Sequence, residues 1–479
     1  MATRIAPRHH LFICLLIITA LLPLLHFDAP ALRASTRPAA VWPPPPLKPP
    51  ARPALPTLRR TFFGARVVVL THEFSRSGAP IACVQLAQLL SLAGAVVRLF
   101  GWGAQRLPPA ELAAFSASIV PAPAFPTEAV GADFDGLAAD ADLVVVSSAV
   151  SHQAAWVARL RAAAAARGAR QPRIVWWLHE GAGSELPQDA VAGAAALLAR
   201  SGALDGVLFV SSAARAFWER EVRREAGVEL SALPLRQYVL RWGVPDWSAR
   251  GDSSLVESAD AAAGAASSLR RASRAARGIA AGDFVFLALA SFQAIKGHAG
   301  MARAFAAARK RCGGARRLRF VMAGVGYGWG DPTFFPQPDM AWVRTDADFS
   351  LEGPTERPRE LLLAADAYVS NTLGGGESWG LSTLSAMAAG IPVLASSAGA
   401  TAEQMQHGVT ALVHAVPPTK EEPQDVEELA GHMCALVEDA ELRERLGAAA
   451  KAHVKNELGH LHLETSLTEA FGPLLQKRV

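Results

Sequence analysis

Several residue types are scarce in this sequence, and each scarcity narrows what it encodes. Among 479 residues there are three tyrosines, two asparagines (Asn371 and Asn456) and seven lysines. Neither asparagine begins an N-x-S/T sequon, so that glycosylation signal is missing. The four cysteines, Cys14, Cys83, Cys312 and Cys434, form no C-x-x-C pair. Their spacing suits neither a zinc site nor a disulfide framework, and free or buried thiols are expected. No G-x-x-x-x-G-K-[ST] and no H-E-x-x-H occurs, which removes the P-loop and one common zinc-hydrolase pattern. Charged residues make up only 19% while 51% are hydrophobic, which excludes a disordered or fibrous chain.

The net charge is +4, and most cations are arginines scattered among alanines. That pattern reads as compositional, and no nucleic-acid partner is expected. Residues 1–60 carry +7, so the remainder carries −3. The basic character therefore belongs to the N-terminal segment.

That segment holds the one long apolar run, LFICLLIITALLPLLHF at 11–27. Seventeen helical residues span about 25 Å, enough for a short membrane crossing. Arg4 and Arg8 precede it, so the positive-inside rule leaves residues 1–10 cytosolic. The run reads as an uncleaved signal-anchor, with a cleaved signal peptide as the alternative. Residues 28–62 contain WPPPPLKPPARPALP, a polyproline II stem. Tail, anchor, stem and large domain together resemble a single-pass type II Golgi enzyme; secretion or plastid targeting is the other reading.

From residue 63 the chain alternates apolar β-rich runs with alanine-rich helical stretches. Strands are expected at 65–70, 95–100, 141–148, 173–179 and 206–211, and again at 284–290, 317–324, 341–345, 367–370 and 392–396. Near-continuous apolar strands between helices indicate parallel sheets covered on both faces. The spacing predicts α/β architecture in two Rossmann-like doubly wound halves, 63–246 and 282–440. Residues 247–281 form a low-complexity linker or insert, and 441–479 a helical tail with a break at Gly472-Pro473. Such halves place a ligand cleft at the strands' carboxyl ends.

The most informative stretch follows the strand at 367–370: Gly374-Gly375-Gly376-Glu377-Ser378-Trp379-Gly380-Leu381, then a helix to Gly390-Ile391-Pro392-Val393. Glycines before a helix start allow an anion close approach to free backbone N–H groups. This stretch resembles the donor-binding signature of retaining GT-B glycosyltransferases of glycosyltransferase family 4, with its E-x7-E pattern. Glu377, Gly380, Leu381, Ala386, Met387, Ala388, Gly390, Pro392 and Val393 match; Ser385 stands where the second glutamate is usual. The resemblance implies that Glu377 contacts the donor sugar and that Gly375, Gly376, Ser378, Trp379, Gly380, Leu381 and Ser385 line the donor site. Gly399-Ala400-Thr401-Ala402-Glu403 is similar to the family's G-G-x-x-E loop.

Ala290-Ser291-Phe292-Gln293-Ala294-Ile295-Lys296-Gly297 is similar to the family's diphosphate-neutralising loop. Lys296 and Gly297 match, and Ser291 replaces an arginine. In the first half, His72-Glu73-Phe74-Ser75-Arg76-Ser77-Gly78-Ala79-Pro80 and Trp176-Trp177-Leu178-His179-Glu180 resemble two further loops of one subgroup. There Gly78 approaches the ligands and His179 faces the cleft. Two D-x-D strings, Asp140-Ala141-Asp142 and Asp346-Ala347-Asp348, are out of place for a GT-A metal site.

The resemblance implies a GT-B fold and a hexosyltransferase-like retaining enzyme, with Glu377, Lys296 and His179 as catalytic residues. It implies a nucleotide-diphosphate sugar donor as substrate, an acceptor glycan, lipid or protein, and no cofactor or metal. A catalytically weak GT-B scaffold or sugar-nucleotide-binding protein is the alternative.

Overall fold

A computed structural model describes residues 56–476, apart from 76, 102–108, 118, 120–124, 131–135, 137, 139, 150–152, 167–170, 184–185, 245–258, 315, 325–337, 354, 356–357 and 418–423. The first half runs α1 (Pro56–Phe62), β1 (Arg66–Thr71), α2 (Gly78–Leu92), β2 (Val96–Gly101), α3 (Pro109–Ala117), β3 (Thr127–Ala129), β4 (Leu143–Ser147), α4 (Gln153–Ala166), β5 (Arg173–Leu178), α5 (Gln188–Ala199), β6 (Gly206–Phe209), α6 (Ser212–Ala226) and β7 (Arg236–Val239). Its seven strands are parallel in the order β3-β2-β1-β4-β5-β6-β7. The sequence RVVVLT of β1 is buried at its last five positions because helices cover both faces.

The second half runs α7 (Ala259–Ala275), β8 (Phe284–Leu289), α8 (His298–Cys312), β9 (Leu318–Ala323), β10 (Phe349–Glu352), α9 (Pro358–Ala364), β11 (Ala367–Ser370), α10 (Leu381–Ala388), β12 (Val393–Ser396), α11 (Thr401–Gln404), β13 (Leu412–His414), α12 (Glu427–Glu438), α13 (Ala440–Glu457) and α14 (His460–Leu475). Six parallel strands lie in the order β10-β9-β8-β11-β12-β13. Both sheets belong to one compact unit.

Several sequence expectations change. The strand expected at 341–345 falls in a 3-10 helix, Pro338–Arg344. Met340 and Val343 are both buried, and their spacing of three matches that helix's period. The edge strand is β10 instead, and the short edge strands β3, β7 and β13 went unanticipated because edge strands carry little apolar pattern; β7 reads RQYV with no buried residue. The stem stops short of residue 62: α1 packs on α14, with Leu58 and Phe62 fully buried and Phe62 edge-on to Phe471. Thr57 N donates to Glu464 Oε1 at 2.7 Å, which satisfies one of the helix's free amides.

Cys312 and Cys434 form a disulfide, Cα–Cα 5.6 Å, contrary to the expectation of free thiols. The helices α8 and α12 lie side by side and bring together cysteines 122 residues apart, a pairing that spacing cannot reveal. Cys83 is free and buried, its thiol pushed up to about 12 by burial.

The expected linker is helical over α7 and packs against α9. Arg270 and Arg274 of α7 both bond the Asp366 carboxylate, and Arg277 pairs with Glu352. The helix therefore belongs to the second half. Gly472-Pro473 does not break α14, which continues to Leu475 with Pro473 inside it. This helix returns to the first half, where Glu469 accepts from Tyr238 Oη at 2.7 Å. Among the described residues no helix is long and apolar enough to cross a membrane; the expected anchor, 11–27, and most of the stem lie outside them.

Candidate active site

The residues singled out from the sequence sit on loops that follow the carboxyl ends of strands in both sheets, and on the helices those loops lead into. After β8 the chain makes a 3-10 turn, Ala294–Lys296, and enters α8 through Gly297 at φ +61. Only glycine suits this position, because a Cβ there would lie 2.2 Å from Asn371 O. The turn aims Lys296 at the loop after β11, where its Nζ lies 3.2 Å from Glu377 Oε2. Thr372 Oγ1 donates to the same carboxylate oxygen at 3.0 Å. Both charged side chains are partly buried, so the pair is a charge-assisted bond with limited water access.

Glu377 is held from below by its backbone. Its carbonyl accepts from Ala400 N at 2.7 Å, and Gly399 at φ +51 passes so close that a Cβ would sit 2.1 Å from that oxygen. Gly375 and Gly376 meet Ala182 and Gly183 of the first half; a side chain on Gly183 would come within 2.8 Å of Gly376 N. Ser378 Oγ faces Gly181. The two glycine-containing loops thus close on each other across the cleft.

The remaining expected donor residues divide. Leu381 opens α10 and lies beside Gly78, the first residue of α2, so the starts of two helices from opposite halves face each other. Trp379 is buried, and its Nε1 donates to Trp242 O at 2.6 Å in the segment that leaves the first half. It packs the junction between the halves. Ser385 donates its hydroxyl to Leu381 O at 2.9 Å, one turn back in its own helix. Ser291 Oγ bonds Gln293 Oε1 at 3.0 Å.

In the first half, His179 follows β5 with its ring 4.4 Å from that of Trp177. Its Nε2 is buried with no hydrogen-bond partner. Burial, with the charge of His72 second, pushes its pKa down to about 3, so the ring is neutral near pH 7. Glu180 Oε2 accepts from His179 N at 3.1 Å and from Ala149 N at 2.9 Å. Burial raises its pKa, against the opposing charge of His72. Next to Ala149, Ser148 takes φ +70, the one left-handed non-glycine among the described residues. Glu73 accepts from Ser75 Oγ at 2.5 Å and lies 3.6 Å from His72 Nε2. The neighbouring His72, with the Ser75 and Ser77 hydroxyls, holds the Glu73 pKa down to about 2.

Two contributors, Asn371 and Thr372, escaped the sequence reading, and Glu403 of the G-G-x-x-E-like loop takes a part that the resemblance did not give it. Asn371, one of two asparagines in the chain, donates to Gly297 O at 2.9 Å, and its Oδ1 lies 2.7 Å from His414 Nε2, tying β11 to α8 and β13. Its rarity was the available signal. Thr372 had none beyond its place after a strand. Glu403 accepts from Ser212 N at 2.9 Å and Ala213 N at 2.8 Å at the start of α6, and from Arg241 Nη2 at 2.9 Å. Burial alone would raise its pKa; those amides and Arg241 hold it low. A second-half carboxylate therefore caps a first-half helix. Of the D-x-D strings, Asp142 accepts from Arg66 N at 2.9 Å, while Asp346 and Asp348 pair with Arg309 and Arg317.

Known proteins give the same picture of the fold. The Anabaena HepE protein, crystallised with UDP and glucose, superposes with TM-score 0.63 at 16% identity, over 85% of this chain and 100% of that one. A glycosyltransferase from Rickettsia africae gives 0.61 at 14% identity, over 86% and 99%. Sucrose-phosphate synthase from Thermosynechococcus elongatus gives 0.57 at 15% identity, over 86% and 99%. At these identities the likeness establishes the GT-B fold. No curated protein matches the sequence. Residues 63–233 match the family "Glycosyl-transferase family 4" and residues 270–453 match "Glycosyl transferases group 1". The two matches fall in order on the two halves whose loops meet at Glu377, and the chain is accordingly a family 4-like GT-B glycosyltransferase.

Proposed function

We propose that the chain transfers a sugar from a nucleotide-diphosphate donor to an acceptor held by its first half, without a metal and with retention of anomeric configuration. The Lys296–Glu377–Thr372 cluster carries this reading: a lysine 3.2 Å from a carboxylate, between the starts of α8 and α10. An arriving diphosphate competes for Lys296, and Glu377 is then free to accept from donor-sugar hydroxyls. As the anomeric C–O bond breaks, negative charge gathers on the departing diphosphate. A fixed ammonium and helix-start amides stabilise that charge.

The acceptor hydroxyl enters beside His179, on the face the diphosphate leaves, and its proton passes to the leaving phosphate oxygen. A neutral His179 suits hydrogen bonding to a sugar hydroxyl. The Anabaena protein of the same fold was crystallised with UDP-glucose, which makes uridine nucleotides the first donors to test. We place the chain on a secretory-pathway membrane, Golgi first, anchored through residues 11–27. The apolar run supports this, as does the Cys312–Cys434 bridge, a bond that persists in oxidising compartments.

A second reading, a sugar-nucleotide-binding scaffold without transfer, is favoured by one observation. Ser385 is tied to Leu381 O and supplies no carboxylate for the nucleotide ribose. Incubating the purified chain with a panel of nucleotide sugars, with and without chelator, separates the two. Donor turnover that survives the chelator and gives a retained anomer supports the enzyme. A donor-induced rise in melting temperature without turnover supports the scaffold, and no response to any donor sinks both.

A further inference from the structure

Cations in this chain are scattered, with one exception. Residues 309–319 read RKRCGGARRLR, six cations and no acid in eleven positions. They span the end of α8, the turn after it and the start of β9. Two hollows open there, of about 710 and 400 Å3, and they adjoin at Arg309, which lines both, as a groove in two parts. Met340 and Trp342 line the first hollow, Arg303, Lys310 and Arg311 flank it, and Glu427 is its one acid. Arg316 and Arg317 line the second, with Asp348.

The charges divide into fixed and free. Arg309 is anchored by Asp346 at 2.7 Å and lies over the Phe305 and Trp342 rings. Arg317 is engaged by Asp348 at 2.6 Å. Lys310, Arg311 and Arg316 are exposed and have no ion pair among the described residues. Three free cations on a preformed groove with an indole in its lining present a face for a chain of negative charges.

We propose that this groove is a second binding site, for a polyanionic glycan bearing sulfate or carboxylate groups. The site stands apart from the catalytic cleft. Fifteen residues of α8 separate Gly297 from Cys312, a rise of about 22 Å. Two observations favour a glycan over other polyanions. The Cys312–Cys434 bridge lies in the same stretch, and disulfides mark oxidising compartments, where nucleic acids are scarce. The exposed large apolar side chains (Phe63, Val228, Val409 and Leu461) all lie outside the groove, so it offers nothing to insert into a lipid surface.

Heparin serves as the probe, and its affinity for the full-length chain is measured against salt concentration. The triple variant K310E/R311E/R316E should flatten the slope of log affinity against log salt by about 3, about one for each cation removed. A charge-matched control, R200E/R271E/K455E, reverses three exposed cations elsewhere and should keep the wild-type slope. Equal losses in both variants, or none in either, would overturn the proposal. So would duplex DNA or phosphatidylserine vesicles binding more tightly than heparin at equal salt, with that binding lost in K310E/R311E/R316E. Donor turnover, assayed separately, should be the same in the groove variant and the wild type, so the outcome does not depend on the transferase reading.

Discussion

At the residue scale the chemistry rests on few side chains, and sequence marked them unevenly. Lys296 stood out as the one lysine between positions 48 and 310, and Glu377 by its family pattern. Their 3.2 Å contact bridges 81 positions, and no local rule could supply it. Lys296→Ala and Glu377→Ala should each lower turnover at least ~100-fold, because each removes a charge aimed at the reacting diphosphate or sugar. Circular dichroism should stay native in both. Normal turnover in either would displace the site. Buried histidines make a second prediction. His298 and His414 are each pushed down to about 3 by burial. In the unfolded chain they protonate near the ordinary value of about 6.5, so between about pH 6.5 and 3 the unfolded state binds more protons. Stability therefore falls as pH drops through that window, by up to about 1.4 kcal/mol per pH unit for each histidine. Thermal melts from about pH 7.5 to about 4.5 should record the decline, and His298→Phe should make it shallower.

At the scale of elements, strands buried on both faces were legible and edges were not. The runs VVVL, LVVV and IVWWL announce β1, β4 and β5, since a strand covered by helices is apolar at nearly every position. In β7 and β10 one side of the ladder is open, the pattern fades, and the neighbouring 3-10 turn at Met340 and Val343 looks equally apolar. Long-range packing was equally hidden. Nothing in PTLRRTF says that it docks on a helix about 406 positions away, yet Leu58 is 0% exposed there. Leu58→Ala should destabilise the fold by about 2–5 kcal/mol, measured by urea unfolding. The Cys312–Cys434 bridge closes a loop of 122 positions, and Cys434→Ser should cost about 2–4 kcal/mol under oxidising conditions. Added reductant should bring the wild type to the variant's midpoint, and a wild type indifferent to reductant would contradict the bridge.

For the whole molecule, the two halves are joined by polar contacts as well as by apolar ones. Glu403 spans them, receiving two helix-start amides and a guanidinium from the first half. Bonds to a charged partner contribute about 1.5–3 kcal/mol each when formed, so this carboxylate helps hold the two halves together. Glu403→Ala should enlarge the radius of gyration in solution scattering and lower kcat/KM about tenfold, with Glu403→Gln between the two. An unchanged radius would place the joint elsewhere, in the buried Trp242–Trp379 contact.

The docking of α1 on α14 also sets how the molecule can be held. Helix α1 leads directly into β1 at that strand's amino end, whereas Glu377, Lys296 and His179 all follow carboxyl ends. The last described helix finishes against the first. The two helices run parallel, Thr57 beside Glu464 and Phe62 beside Phe471, and α14 ends with Leu474 against Gly206 at the amino end of β6, on the side of the first sheet away from the cleft. A surface attached there would leave the reacting groups pointing outward, toward material arriving from solution and not toward the surface itself. An enzyme immobilised through the end of α14 would present its cleft away from the support.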